Sequence, residues 1–213
     1  MRVALWVTIL KAVGYKAFMF KSLYLIGVVS LLFSQLAFAG DVNAAFEILR
    51  NKAVNFDPDG AVCEELERVR LEKIYPDNQY LITGDIEYSA GGLTIGELDT
   101  VIIDRATNKV VLMGEVKCWK SFDGALLKAK SQLQRFFWNL EKNPSAMVFT
   151  SYDGIQYTAS QFDLTTPFYT VGPQGAVAKG FTYELDLNLK ETHQLRMMLL
   201  KCQQNNECPK PQD

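Results

Sequence analysis

The sequence predicts an α/β protein in which helices flank a central mixed β-sheet. The chain has 213 residues, of which 48% are hydrophobic and 22% charged, an ordinary balance for a globular domain. Helical and extended patterns alternate along the chain, separated by turn residues. The resulting order of helix, three strands, helix and strand is typical of a sheet with helices packed on it.

Two helical patterns come first. Residues 41–54 predict one helix, and "FDPDG" at 56–60 ends it. Residues 61–74 predict a second helix, because Val62, Leu66 and Val69 recur at helical spacing.

Three apolar runs then predict three strands. They are "QYLITGDIEYS" at 79–89, "GELDTVIID" at 96–104 and "VVLMGEVKCW" at 110–119. The short turn "RATNK" between the last two predicts that they pair as an antiparallel hairpin.

A long amphipathic helix is predicted over residues 124–143, and Pro144 follows its end. A short strand is predicted at 146–152. Two strands at 167–172 and 181–188 and a helix at 190–204 are predicted as C-terminal additions. With no internal repeat or long linker, residues 40–213 are expected to form one domain with a core at about 60–150.

The N-terminal 39 residues carry the features of a secretory signal peptide. They contain four basic residues and no acid, then the apolar run "LYLIGVVSLLF", then "AFA" before Gly40. We therefore expect cleavage after Ala39 and an exported, periplasmic or secreted protein with no stable membrane span. The alternative is an uncleaved anchor. Because the signal is complete from Met19, residues 1–18 fit an untranslated upstream extension.

All four cysteines lie in the expected mature part, and an even number in an exported protein suggests disulfides. Four cysteines allow three pairings. We favour Cys63 with Cys118 and Cys202 with Cys208, and free buried thiols are the alternative.

The charge balance does not indicate nucleic-acid binding. The whole chain has 22 basic and 24 acidic residues, and loss of the signal removes four basic residues and leaves a net charge near −6. A basic surface would be the usual sign of such binding. Basic residues do cluster near the candidate site described next, and they could supply a local positive field: Lys117, Lys120, Lys128, Lys130 and Arg135.

Charged residues interrupt two otherwise apolar strands. Alternate residues of a strand point the same way. Glu97 and Asp99 therefore share one face of the predicted strand 96–104, and Glu115 and Lys117 share one face of the predicted strand 110–119. If the strands pair, Asp99 and Glu115 converge. Two adjacent carboxylates repel unless a cation lies between them. Mg²⁺ suits such a site, and a neighbouring lysine could orient water or stabilise a phosphate.

The pattern "GELD", then fifteen residues, then "EVK" resembles the PD-(D/E)xK, or restriction-endonuclease-like, nuclease superfamily. It is most similar to the branch of Holliday-junction resolvases and nuclease-related domains. The resemblance covers about residues 60–150 and implies an αβββαβ core. The proline of the motif is absent, and Glu97 lies near its place.

The resemblance implies a metal-dependent nuclease. Asp99 and Glu115 would bind Mg²⁺ or Mn²⁺, and Lys117 would be the catalytic lysine. Glu65 would add a helix glutamate, with Glu64 as the alternative. Gln132 would add a helix glutamine, with Gln134 as its alternative. The partner would be nucleic acid, with DNA favoured over RNA, and a homodimer is allowed.

Other interpretations of the same residues compete with this one. Asp99, Glu115 and Lys117 could form a solvated surface ion pair, and Glu65 could pair with Arg68 or Arg70. A catalytically inactive nuclease-like fold could serve as a binding module, and a third hypothesis is a hydrolase of another phosphate ester.

Two further features are predicted to have structural roles. The single histidine, His193, is predicted to be a surface residue, which argues against a histidine base or a Ser-His-Asp triad. Phe136, Phe137 and Trp138 are predicted to be core residues, with a stacking platform for bases as the alternative.

Overall fold

The computed structural model describes residues 40–211, so the expected signal peptide lies outside the described residues. Within that range the chain forms helices that flank β-sheets. The helices are α1 (Val42–Leu49), α2 (Ala61–Glu72), α3 (Phe122–Lys142) and α4 (Leu189–Gln204). The strands are β1 (Tyr80–Thr83), β2 (Ile86–Ala90), β3 (Leu93–Leu98), β4 (Thr100–Asp104), β5 (Lys109–Val116), β6 (Met147–Thr150), β7 (Gln156–Tyr157), β8 (Phe168–Gly172) and β9 (Tyr183–Glu184).

The larger sheet is mixed and has the order β1-β4-β5-β8-β9. Strands β1, β4 and β5 are antiparallel neighbours, which confirms the predicted hairpin of the second and third runs. Strands β8 and β9 add in parallel beside β5. Four consecutive residues of β4 are buried, as expected for a strand covered on both faces.

A second, antiparallel sheet has the order β3-β2-β6-β7. The expectation of one central sheet is therefore incomplete, because two of the predicted strands each divide between the two sheets. The run 79–89 breaks at Gly84 and Asp85, and the run 96–104 breaks at Asp99.

The two breaks lie against each other. A Cβ atom at Gly84 would come within 2.1 Å of the carbonyl oxygen of Asp99, so only glycine allows this approach. Asp85 follows with a φ of 49°, a left-handed conformation that aspartate tolerates better than most residues. An uninterrupted apolar run does not reveal such a crossover between sheets.

Helices cover both faces of the larger sheet. Residue Ile102 of β4 packs with Cys63 and Leu71 of α2 on one side. Residues Val101 and Ile103 point the other way, into the core beneath α3, because successive side chains of a strand alternate. Helices α1 and α4 pack with α2 in a third layer, where Leu49, Leu195 and Leu199 are fully buried.

The C-terminal strand is shorter than predicted. Residues 181–188 were expected to be extended throughout, but only Tyr183–Glu184 pair with the sheet. The Glu184 carboxylate instead accepts hydrogen bonds from the backbone N–H groups of Gly175 and Val177, so it closes a loop.

Two disulfides join the predicted partners. Cys63–Cys118 connects α2 to the end of β5 across 55 residues, and Cys202–Cys208 closes a short loop after α4. Disulfides of this kind are typical of proteins that fold in an oxidising compartment. Between residues 40 and 211, no helix has both the length and the apolar character needed to cross a bilayer.

Candidate active site

Asp99 lies at the break between β3 and β4, where the chain passes from one sheet to the other. The residue is 7% exposed, and its side chain turns towards β5. The Oδ2 atom accepts hydrogen bonds from the backbone N–H of Val116 at 2.7 Å and from the Lys117 ammonium at 2.7 Å. These bonds fix the carboxylate at the end of β5.

Glu115 and Lys117 complete a buried trio with Asp99. The Lys117 Nζ atom lies 2.7 Å from Glu115 Oε2, so one ammonium contacts both carboxylates. The contact to Glu115 has an ion-pair distance without hydrogen-bond geometry, and among residues 40–211 neither of the buried Glu115 oxygens has a hydrogen-bond partner. Glu115 is 1% exposed and Lys117 is 9% exposed, which contradicts a solvated surface pair.

The charges of the trio shift two of its pKa values strongly. Burial and, after it, the charge of Asp99 raise the pKa of Glu115 to about 8, against the opposing charge of Lys117. Burial alone would lower the pKa of Lys117, but the charges of Asp99 and Glu115 outweigh it and raise this pKa above its ordinary value. Lys117 therefore stays protonated at neutral pH.

The two glutamates considered on α2 occupy different surroundings. Glu65 is buried against Arg68, with the Lys52 ammonium 3.5 Å away, so it belongs to an ion-pair cluster. Glu64 is half-buried, and its pKa is raised to about 8 by burial and then by the charges of Asp99 and Asp85. Of the two, Glu64 is thus the one whose pKa is raised by the charge of Asp99.

An acidic cavity of about 360 Å³ opens beside α2, and Glu64, Glu65, Arg68, Asp85 and Glu97 line it. Burial and the charges of Asp85 and Asp99 raise the pKa of Glu97. Asp99, Glu115 and Lys117 contribute nothing to the lining, so the buried trio lies beneath the cavity in this structure.

Sequence reasoning missed the contribution of the Gly84–Asp85 turn. Arg68 Nη2 donates to Asp85 Oδ2 at 2.7 Å and so ties the turn to α2. The dipeptide "GD" inside the apolar run 79–89 was the available signal, because glycine next to aspartate favours a turn.

Gln132 points into the protein and Gln134 points out. The Gln132 side chain is buried, and its Oε1 atom has no hydrogen-bond partner in the part of the chain that the structure describes. Its backbone carbonyl accepts a hydrogen bond from the Tyr88 hydroxyl at 3.3 Å. Burial raises the pKa of Tyr88 to about 12, and charges from both Arg135 and Glu115 reach it. Of the two glutamines, Gln132 is therefore the one on the buried face of α3, which is the face that contacts Tyr88.

The remaining sequence expectations have mixed outcomes. His193 is exposed, as predicted. Phe136 is fully buried and Phe137 packs against the same core, but Trp138 is 57% exposed. The prediction was wrong for Trp138, because two residues along a helix rotate a side chain by about 200°. Of the basic cluster, Lys117 is buried and the other four residues are exposed.

A divalent cation would be held by few protein ligands here. Within residues 40–211, no three histidine, cysteine or carboxylate side chains form a metal-ligand group. The two converging carboxylates still fit a hard ion, which uses one or two carboxylates and completes its shell with water and substrate oxygens. The unpartnered, buried oxygens of Glu115 are donors of the right chemistry. In this structure the Lys117 ammonium contacts both carboxyl groups.

Comparison of the chain with models of known protein families, with curated proteins and with solved structures found no match. Membership of the PD-(D/E)xK superfamily therefore stays a prediction from the "GELD" and "EVK" motifs.

Proposed function

We propose that residues 40–213 form an exported, metal-dependent nuclease that hydrolyses phosphodiester bonds, with DNA as the favoured substrate. The observation that carries the proposal is the contact of one buried ammonium, Lys117, with two buried carboxylates, Asp99 and Glu115. Burying an ammonium between two acidic side chains is costly, and ionisable groups with strongly shifted pKa values are typical of functional sites.

The order of elements supports the same proposal. Helix α2, the strands from β1 to β5, helix α3 and strand β6 follow the αβββαβ order of the restriction-endonuclease-like core, once the two divided strands are counted as one each. Asp99 and Glu115 then fall on the second and third strands of that core.

Asp99 and Glu115 would hold Mg²⁺ or Mn²⁺. When bound, such an ion stabilises negative charge on a phosphate and lowers the pKa of a coordinated water. The chain's own residues divide the remaining work. Lys117 keeps its proton, so it acts as a fixed positive charge and a donor towards a phosphate oxygen or a water, and it is no general base.

Glu64 is suited to moving protons. With a pKa of about 8 it exchanges a proton readily near neutral pH, and it lines the cavity through which water would arrive. In the overall reaction water adds to phosphorus and the bond to the 3′ oxygen breaks. The leaving oxygen takes up a proton, and the products carry a 5′-phosphate and a 3′-hydroxyl.

A binding module without catalysis is the second candidate. It is favoured by the position of the trio beneath the cavity and by the acidic lining, which repels a phosphate in the absence of a metal ion. The two candidates differ in whether a divalent ion and a phosphate reach Asp99 and Glu115.

Cleavage by the purified chain 40–213 tests the proposal. Linear duplex DNA, single-stranded DNA and RNA would be incubated with Mg²⁺, with Mn²⁺ or with EDTA. Asp99→Asn and Lys117→Ala should each abolish metal-dependent cutting. Glu141→Gln is the matched control, because Glu141 is an exposed acid paired with Lys142. A folded protein that cuts none of the three substrates would contradict the nuclease and favour the binding module.

A further inference from the structure

One face of α3 is exposed although it carries large apolar side chains. Leu127 is 68% exposed and Trp138 is 57% exposed. A shallow groove of about 430 Å³ lies along the helix, and the described residues that line it are Lys128, Ser131, Gln134, Arg135 and Trp138. These residues recur at steps of three and four, so they share one face of the helix. We call this surface the α3 groove.

The α3 groove has the opposite charge to the rest of the mature protein. Residues 124–140 contain three basic residues and no acid, in a chain whose expected mature form has a net charge near −6. Among the ion pairs of residues 40–211, none involves Lys128, Lys130 or Arg135. Unneutralised cations beside an exposed indole are complementary to a polyanion with aromatic bases.

We infer that the α3 groove binds a single-stranded segment of nucleic acid, with Lys128 and Arg135 contacting phosphates and Trp138 stacking on an unpaired base. An exposed indole can stack only on a base that is free of its partner strand, which favours a single strand over a duplex. This inference deepens the proposed function and takes its substrate class from it.

The groove and the candidate site lie on the outer and inner sides of the same helix. Gln132 lies on the inner side of the same helix, and its carbonyl accepts the hydrogen bond from Tyr88. Burial raises the pKa of Tyr88, and the charges of Arg135, Glu115 and Asp99 also act on it. A nucleic-acid strand held along about 15 Å of α3, from Lys128 to Trp138, would therefore lie on the outer side of the helix whose Gln132 carbonyl accepts the Tyr88 hydrogen bond.

Fluorescence anisotropy of a labelled oligothymidylate of about 20 nucleotides tests the inference. The protein would be Glu115→Gln in EDTA, so that no cleavage occurs. We expect Trp138→Ala to weaken binding about 5- to 100-fold and Trp138→Phe to restore most of it, since a ring remains to stack. Lys128→Glu with Arg135→Glu should lower the slope of log affinity against log salt by about 1.4, because each phosphate that is no longer neutralised lowers it by about 0.7.

The matched control is Lys179→Glu with Lys190→Glu, which makes the same change of charge at two exposed lysines outside α3. Unchanged binding in this control, with weaker binding in the groove variants, supports the inference. Equal weakening in both pairs, or unchanged binding in the groove variants, overturns it. Binding to vesicles of phosphatidylglycerol and phosphatidylcholine that depends on the groove, without binding to the oligonucleotide, also overturns it.

Failure of the inference and failure of the nuclease are distinguishable. If the groove variants bind normally and cleavage persists, the nuclease proposal stands and the inference about the groove is wrong. If binding depends on the groove but the protein cleaves no substrate, the inference about the groove stands and the nuclease proposal is wrong.

Discussion

Replacing Lys117 with methionine removes the ammonium that holds two buried carboxylates together. Methionine is also unbranched, so it fills much of the same space and isolates the effect of the charge. Asp99 keeps its hydrogen bond from the Val116 N–H, but no described residue forms a hydrogen bond with either oxygen of Glu115. The variant therefore buries two adjacent acids without a counterion.

We expect Lys117→Met to lower the free energy of unfolding by about 3–5 kcal/mol near pH 9. This is the usual cost of removing one partner from a buried ion pair. A simple Coulomb calculation gives the same order of magnitude, since unit charges at the 2.7 Å separation of Lys117 and Asp99 interact by about 6 kcal/mol at an effective dielectric constant of about 20. The three residues are each less than one-tenth exposed, so little screening by water reduces the value.

The destabilisation should shrink at low pH, and the sign follows from the pKa of Glu115. In the folded protein this pKa is about 8, against an ordinary value of 4.5. Between those limits the folded state holds a proton that the unfolded state has released. Its contribution to stability is complete below about pH 4.5 and is lost as the pH rises to about 8, with a slope of about 1.4 kcal/mol per pH unit for each such proton. Without Lys117 this pKa rises further.

Urea unfolding of the chain 40–213, followed by circular dichroism with the disulfides intact, measures the effect. The variant and the parent would be compared near pH 5.5 and near pH 9, with and without Mg²⁺. We expect the deficit to be small near pH 5.5, large near pH 9 and partly reversed by Mg²⁺, because a divalent ion can replace the missing positive charge. A deficit below about 1 kcal/mol near pH 9 would refute the reasoning, since that is the value of an exposed pair.

Three further predictions concern the supports of the site. Glu64→Gln should reduce cleavage at least about tenfold with little effect on stability. Glu65→Gln should cost about 1–3 kcal/mol of stability, because it removes the buried carboxylate that pairs with both Arg68 and Lys52. Kinetics and unfolding of both variants check this, and the reverse pattern would contradict it. Gly84→Ala should lower the free energy of unfolding by about 1–3 kcal/mol and abolish cleavage, because the added Cβ atom displaces Asp99. Gly91→Ala should lower it by only about 1 kcal/mol through backbone strain, because its Cβ atom meets no neighbouring atom of the described residues. Thermal unfolding of the Gly84→Ala and Gly91→Ala variants measures this difference. Equal destabilisation would show that the contact of Gly84 with Asp99 is unimportant. Removing the Cys63–Cys118 disulfide should cost about 4 kcal/mol and removing Cys202–Cys208 about 2 kcal/mol, because the longer loop restricts the unfolded chain more. Urea unfolding of the two double alanine variants tests this ranking. The ranking would be wrong if loss of the Cys202–Cys208 disulfide destabilised the protein more.

The local chemistry of the sequence predicted much of the fold. Helical spacing gave α2 and α3 nearly to their ends, and the hairpin of β4 and β5 followed from two apolar runs around a short turn. The disulfide pairing favoured from the sequence is the one in the structure. The division of two strands between two sheets was not predictable, since both runs are apolar and only the contact of Gly84 with Asp99 reveals the crossover.

The site was predictable only as far as residue types and strand pairing reach. Pairing of β4 with β5 brings Asp99 near Glu115, and the structure places them around Lys117. The position of a helix glutamate depends on the rotation of α2 against the sheet, which the sequence pattern fixes to within one residue at best. Glu64 and Glu65 were therefore not separable from spacing alone, and the ion pairs of Glu65 with Arg68 and Lys52 separate them in the structure.

Calorimetric titration of Mn²⁺ into the chain 40–213 tests the central claim most directly, because it needs no substrate. We expect one ion to bind, with an affinity that rises about tenfold per pH unit between about pH 6 and pH 8, since Glu115 must release its proton to bind it. Asp99→Asn and Glu115→Gln should each abolish binding, and Glu141→Gln should leave it unchanged. Binding that survives both substitutions in the trio, or no binding by the parent near pH 8, would contradict the account.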